Sequence, residues 1–221
     1  MMRKCGTIVI LASIFSNSAH AQPDKEPPAV AKMRELGTVY LTWQRPAKKK
    51  GVDPKAEVKP NPIIGIDFRP MAGTDSKKIA AAVKELAALP ELQSLLLLGV
   101  DVNDSVMDAV PTSAKLATLQ LFNTKISDKG IANLKRFSDL RIFNYTGNAL
   151  SDEGMKSLGK IRSLTSISVV DAKITDVGVL ALHTIPNLVS LNVENTQATA
   201  KGLAQLREML PTLKDGFRVL R

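Results

Sequence analysis

The chain has 221 residues, a formal charge of +9, one cysteine and only 4% aromatic residues. That length suits one domain with extensions. A lone cysteine excludes an internal disulfide framework, and the scarcity of aromatic stacking platforms argues against nucleic acid as a partner.

The N-terminus reads as an export signal. Arg3 and Lys4 precede an apolar run from Gly6 to Phe15, and Ala19-His20-Ala21 supplies a small-x-small cleavage pattern. Such a pattern marks a signal peptide over residues 1–21, the alternatives being a retained anchor or a buried first helix. The run is shorter than the ~20 apolar residues that span a bilayer. Membrane contact is therefore expected only through this transient segment. Cleavage would remove Cys5 together with Arg3 and Lys4. The expected location is periplasmic or extracellular, in a bacterial setting.

Residues 22–62 form a Pro/Lys-rich arm with sparse apolar pattern. Within it, Ala29 to Leu36 predicts a short helix, with Gly37 as its C-cap glycine. Thr38 to Trp43 (TVYLTW) has strand-forming composition. This piece is a candidate cap for the N-terminal end of the domain that begins at Ile63. Residues 44–60 carry six basic side chains (Arg45, Lys48, Lys49, Lys50, Lys55, Lys59) against Asp53 and Glu57. A segment of that kind is either a solvated linker or a contact for anionic surfaces.

From Ile63 the character changes. Ile64, Ile66 and Phe68 alternate as in a strand, and Thr74-Asp75 precedes a helical stretch from Ser76 to Leu89. Then a 24-residue period sets in. Leu92, Leu116, Leu140, Leu164 and Leu188 open five repeats. Leu95, Leu119, Phe143, Ile167 and Leu191 come next, then Leu97, Leu121, Tyr145, Val169 and Val193. A fixed period of this size means stacked units, each too small to bury its own apolar face. In each unit a short strand sends alternate residues inward. A helix then offers an apolar stripe, such as Ile131, Leu134 and Phe137, or Leu203, Leu206 and Met209. Pro211 stops the last helix, and Phe217 and Val219 are candidates to close the C-terminal end.

Two further columns serve the scaffold. Asp128, Asp152 and Asp176 stand at helix starts, where a carboxylate caps free N–H groups and meets the positive dipole end. Gly130, Gly154, Gly178 and Gly202 sit in the first turns, where close approach of neighbouring repeats would exclude a Cβ. Val106 and Ala200 break these columns near the two ends.

The pattern L-x-x-L-x-L-x-x-[TN]-x-[IL]-[ST]-D-x-G-[IMV]-x-x-L stands in residues 116–134, 140–158 and, with Ala172 in the Thr/Asn slot, 164–182. It resembles the leucine-rich-repeat superfamily of ribonuclease-inhibitor type, and in particular exported bacterial proteins with Thr-Asp-x-Gly-Leu repeats. The resemblance covers residues 63–221. It implies an α/β fold: a right-handed leucine-rich-repeat solenoid with a parallel sheet on the concave face and short helices on the convex face. It implies a binding scaffold. Similar repeats occur in ubiquitin-ligase substrate adaptors, but those usually carry core cysteines, and residues 22–62 show no F-box.

Chemistry is poorly provided for. Apart from His20 in the leader there is one histidine, His183, expected on the helical side, whereas Ser166 and Ser168 project from the sheet. A general base must lie within hydrogen-bond reach of the proton it takes, so no Ser–His–Asp arrangement is expected. Neither a phosphate-cradling Gly-rich loop nor a Cys/His cluster for zinc is present, and no metal or cofactor is expected. The sequons at Asn103 and Asn144 read as chance matches.

Recognition should lie where repeats differ. On the concave face the exposed columns are Ser94, Thr118, Ile142, Ser166 and Ser190; then Leu96, Gln120, Asn144, Ser168 and Asn192; then Leu98, Phe122, Thr146, Val170 and Glu194. Leu96, Leu98, Phe122 and Ile142 make an apolar corner, and apolar patches with polar rims mark interaction sites. The basic residues Lys129, Lys135, Arg136, Lys156, Lys160, Arg162 and Arg207 fall on the helical side. The expected function is non-catalytic binding of a protein or peptide through the concave face, with Phe122 as anchor. The alternative is a structural envelope protein whose basic convex face and Lys-rich arm sit on anionic polymer.

Overall fold

The computed structural model describes residues 27–43, 63–112 and 115–213. The leader, the Lys-rich stretch 44–60 and the closure by Phe217 and Val219 lie outside the described residues.

The elements alternate along the chain. Helix α1 (Pro28–Leu36) leads into β1 (Gly37–Trp43), and β2 (Ile63–Pro70) is followed by α2 (Ser76–Lys84). Five strand–helix pairs complete the order: β3 (Ser94–Leu98) and α3 (Asp104–Ala109), β4 (Thr118–Phe122) and α4 (Asp128–Ala132), β5 (Ile142–Thr146) and α5 (Asp152–Leu158), β6 (Ser166–Val170) and α6 (Asp176–Leu180), β7 (Ser190–Asn192) and α7 (Ala200–Met209). All seven strands form one sheet in chain order, β1 antiparallel to β2 and the rest parallel.

Strand register follows the sequence period. Leu95 pairs with Leu119, Leu119 with Phe143, Phe143 with Ile167 and Ile167 with Leu191. These residues and the column Leu97, Leu121, Tyr145, Val169 and Val193 are buried in one continuous core. The helices close that core from the other side through Ile131, Leu134 and Phe137 and their equivalents. Each of β3 to β7 is followed by a residue with positive φ: Gly99 (128°), Asn123 (54°), Gly147 (157°), Asp171 (59°) and Asn195 (52°). Glycine, asparagine and aspartate tolerate that backbone best, which accounts for a column the sequence shows at the same 24-residue period.

Met209 departs from expectation. It is 54% exposed, and Leu210 and Leu213 are buried instead. The cause is helix pitch. In α4 and α6 the chain tightens to a 3-10 turn, and Phe137 and Ile185 bond the carbonyl three residues back. Helix α7 stays α-helical to Met209, and the Leu210 N–H bonds Leu206 four residues back. The wider turn rotates Met209 outward.

Gly37 also differs. It begins β1 with extended backbone (φ 173°) rather than capping α1 in the left-handed region. A Cβ there would overlap the Arg69 carbonyl and lie 2.5 Å from Pro70 Cα, so the glycine permits close strand pairing.

The aspartate column acts between repeats rather than within its own helix. The true N-caps are Ser127, Ser151, Thr175 and Thr199, whose hydroxyls accept backbone N–H bonds from their own first turns. Each aspartate reaches forward to the next N-cap. Asp104 accepts from Ser127 N (2.8 Å) and Oγ (2.6 Å), Asp128 from Ser151 N (2.8 Å) and Oγ (2.5 Å). Asp152 accepts from Thr175 N (2.8 Å) and Oγ1 (2.7 Å), Asp176 from Thr199 N and Oγ1 (both 2.7 Å). The hydroxyl proton is thereby committed to the carboxylate, leaving a lone pair for the helix N–H.

The glycine column completes the joint. A Cβ on Gly130 would stand 2.5 Å from Asp104 Oδ1, one on Gly154 2.5 Å from Asp128 Oδ1, and those on Gly178 and Gly202 would overlap Asp152 and Asp176. Val106 is tolerated at this address in α3 for the same reason. The acid of the preceding unit, Asp75, caps its own helix by accepting from Lys77 N (2.9 Å) and makes no such forward bond.

Candidate functional site: the open face of the sheet

Strands β3 to β6 alternate exposed or partly exposed residues with buried ones, so side chains opposite the core form a face that none of the described helices covers. All twelve candidate residues lie there with some exposure: Leu96, Leu98, Thr118, Gln120, Phe122, Ile142, Asn144, Thr146, Ser168, Val170, Asn192 and Glu194. Ile142 is 37% exposed and Phe122 is half-buried. Parallel pairing sets Leu96 beside Gln120, Gln120 beside Asn144, Asn144 beside Ser168 and Ser168 beside Asn192. Among the described residues, the side chains of Gln120, Asn144 and Ser168 have no hydrogen-bond partner. Asn192 Oδ1 accepts from Glu194 N (3.1 Å).

The face continues past β3 onto residues that the repeat pattern does not reveal. Antiparallel pairing places Tyr40 opposite Asp67, and Asp67 lies beside Leu96. Arg69 forks onto Asp67 (Nε to Oδ1 3.1 Å, NH2 to Oδ2 2.9 Å). Its guanidinium lies 5.4 Å from the centre of the Tyr40 ring, which is 54% exposed. The hydrogen bond to Asp67 holds the Arg69 pKa above its ordinary value. The alternation of Ile64, Ile66 and Phe68 held a signal for Asp67 and Arg69. Tyr40 needed the antiparallel pairing. At the adjoining strand ends, Met71 and Val100 are exposed, and Gly73 N donates to Asp101 Oδ2 (2.8 Å) to tie these turns together.

The helical side carries exposed Lys129, Lys135, Lys160 and Arg162, with Lys156 paired to Glu153 (2.6 Å) and Arg207 half-buried. Arg136 lies on the helical side as expected but is engaged rather than free. Its guanidinium donates to the carbonyls of Met107, Asp108 (3.3 Å) and Val110 (2.9 Å), and lies 4.9 Å from the Phe137 ring centre. Burial lowers its pKa from the ordinary value. Arg136 clamps the C-terminal end of α3 and belongs to the scaffold. His183 is exposed on this side with Nδ1 2.9 Å from the Leu180 carbonyl, across the sheet from Ser166. Among the described residues, no group of three or more His, Cys, Asp or Glu side chains could hold a metal, and no helix is long and apolar enough to cross a membrane.

A family profile described as leucine-rich repeat matches residues 160–182, which contain β6 and α6. The chain has a leucine-rich-repeat fold. No curated protein sequence matches it. Among solved structures, internalin C2 of Listeria monocytogenes is 18% identical over 72% of this chain and 81% of its own, with a TM-score of 0.47. Internalin F of the same organism is 16% identical over 71% of this chain and 47% of its own, with a TM-score of 0.51. This chain thus spans less than half of internalin F. The PEPR1–AtPEP1 complex is 17% identical over 72% and 21%, with a TM-score of 0.38. At these identities the likeness is one of fold.

Proposed function

We propose that this leucine-rich-repeat protein is an exported, non-catalytic scaffold that binds a protein or peptide through the open sheet face. The observation that carries the reading is the apolar corner of Leu96, Leu98, Phe122 and Ile142, partly exposed on a face whose other outward side chains in β3 to β6 are polar apart from Val170. Half-buried aromatic and aliphatic side chains of that kind supply anchors when a partner excludes water from them.

Phe122→Ala tests it. Truncation should weaken capture of a partner from envelope extract by about tenfold or more while leaving thermal melting nearly unchanged, because the ring lies outside the core. A large loss of stability, or unchanged capture, overturns the assignment. Attachment to anionic polymer through Lys129, Lys135, Lys160 and Arg162 predicts the opposite pattern. It would persist in Phe122→Ala and fall steeply between low and physiological salt.

A further inference from the structure

We infer that the ligand of the open face is a single extended peptide strand running across the parallel strands, with an apolar side chain against Leu98 and Phe122 and a lysine or arginine about four residues away at Glu194. This rests on the open face being the binding face.

Charge points to the cation. The chain is strongly basic, with 30 Lys and Arg against 21 Asp and Glu. Yet among the described residues the charged side chains in the outward columns of the strands are Asp67 and Arg69, with Glu194 just past β7. Asp67 and Arg69 neutralise each other through a two-pronged ion pair. Glu194 is partly exposed and its carboxylate has no partner among the described residues. Among the described residues the uncompensated charge of these columns is therefore negative, in a chain that is positively charged as a whole. A basic side chain is the group that it attracts, and an acidic one is disfavoured.

Spacing points to the separation. Neighbouring strands lie ~4.8 Å apart, so Phe122 on β4 and Glu194 just beyond β7 are separated by three spacings, ~14 Å. An extended chain advances ~3.3 Å per residue, which places the two side chains about four residues apart.

Phe122 and Glu194 share a column with Thr146 and Val170, and the polar row beside that column, two residues along each strand, points to exposed backbone. Gln120, Asn144 and Ser168 cross the sheet with unengaged donors and acceptors. An amide side chain offers both a donor and an acceptor, which matches a peptide unit. A helical ligand has its backbone groups already bonded and would leave this row unused. The row then reads main chain, and the two ends read sequence.

The test is a screen of the full-length chain against a random peptide display library, with peptides about twelve residues long so that they can cross the sheet. Enriched peptides should pair an apolar residue with Lys or Arg about four positions apart. Glu194→Gln should weaken them by about tenfold, the value of a charge-assisted hydrogen bond. Glu194→Lys should turn the preference at that position to Asp or Glu, a reversal that mere structural damage cannot give. Peptides weakened by Phe122→Ala but indifferent to Glu194→Lys refute this inference and leave the open face as the binding face. Enrichment of no peptide, while Phe122→Ala still abolishes capture of a folded protein, refutes it likewise. Peptides indifferent to both substitutions overturn the binding face itself.

Discussion

The joint between Asp152, Thr175 and Gly178 makes a quantitative prediction. Asp152→Ala removes two accepted hydrogen bonds, from Thr175 N (2.8 Å) and Oγ1 (2.7 Å). It also frees the Thr175 hydroxyl, which accepts from Val177 N (3.2 Å) at the start of α6. Bonds to a charged acceptor contribute ~1.5–3 kcal/mol when buried. These are partly exposed, so roughly 1–1.5 kcal/mol each is a fair discount, or ~2–3 kcal/mol together. For a chain of this size that lowers Tm by ~4–12 °C. Gly178→Ala alone should cost a similar amount, because the new Cβ would collide with the Asp152 carboxylate. In the Asp152→Ala background most of that obstacle is gone and only Asp152 Cα, 3.1 Å away, remains. There the added alanine should cost little, since it regains ~1 kcal/mol of helix propensity. Urea unfolding of the two single variants and the double variant measures the coupling. The double variant should be less destabilised than the sum by ~1.5 kcal/mol or more. Additivity within ~0.5 kcal/mol would refute the idea that the glycine exists to admit the carboxylate.

Arg136→Ala should cost ~2–3 kcal/mol in urea unfolding, because three carbonyls at the end of α3 lose their donor. Arg136→Lys should recover only part of this, since an ammonium cannot fork across several acceptors. A lysine variant as stable as the parent would return Arg136 to the surface charges. Tyr145→Phe should cost ~1 kcal/mol through loss of the bond from its hydroxyl to the Ile126 carbonyl (3.1 Å). Burial raises the Tyr145 phenol above its ordinary 10.0. The fold thus favours the neutral form. Its contribution is complete below pH 10.0 and is lost as pH climbs from there through the raised folded value. Comparing alkaline denaturation of the parent and Tyr145→Phe checks this, since the variant should show the shallower decline.

Much of this architecture was legible because strand and helix periods are each repeated five times in register. Alternation alone sorts Leu119 and Leu121 from Thr118, Gln120 and Phe122, and the structure divides them the same way. What periodicity could not supply is the direction of a bond. The aspartate address was plain, but a carboxylate at a helix start can serve its own turn or one 23 residues on, and both give the same column. Nor does a column reveal pitch, and Met209 left the core because α7 never tightened to a 3-10 turn. Tyr40 and its contact with Arg69 escaped for a different reason. They depend on one antiparallel pairing outside the repeat, so nothing recurs to announce it.

The forward-reaching carboxylates give the stack a polarity. At α4 to α7 the N-cap amide and hydroxyl donate to the coil before them and not to the coil after them. Cutting coils from the C-terminal end would strand only an acid that water readily solvates. Cutting from the N-terminal end would orphan a half-sheltered amide. In each of these joints the earlier coil holds the acceptor that the next coil's N-cap requires.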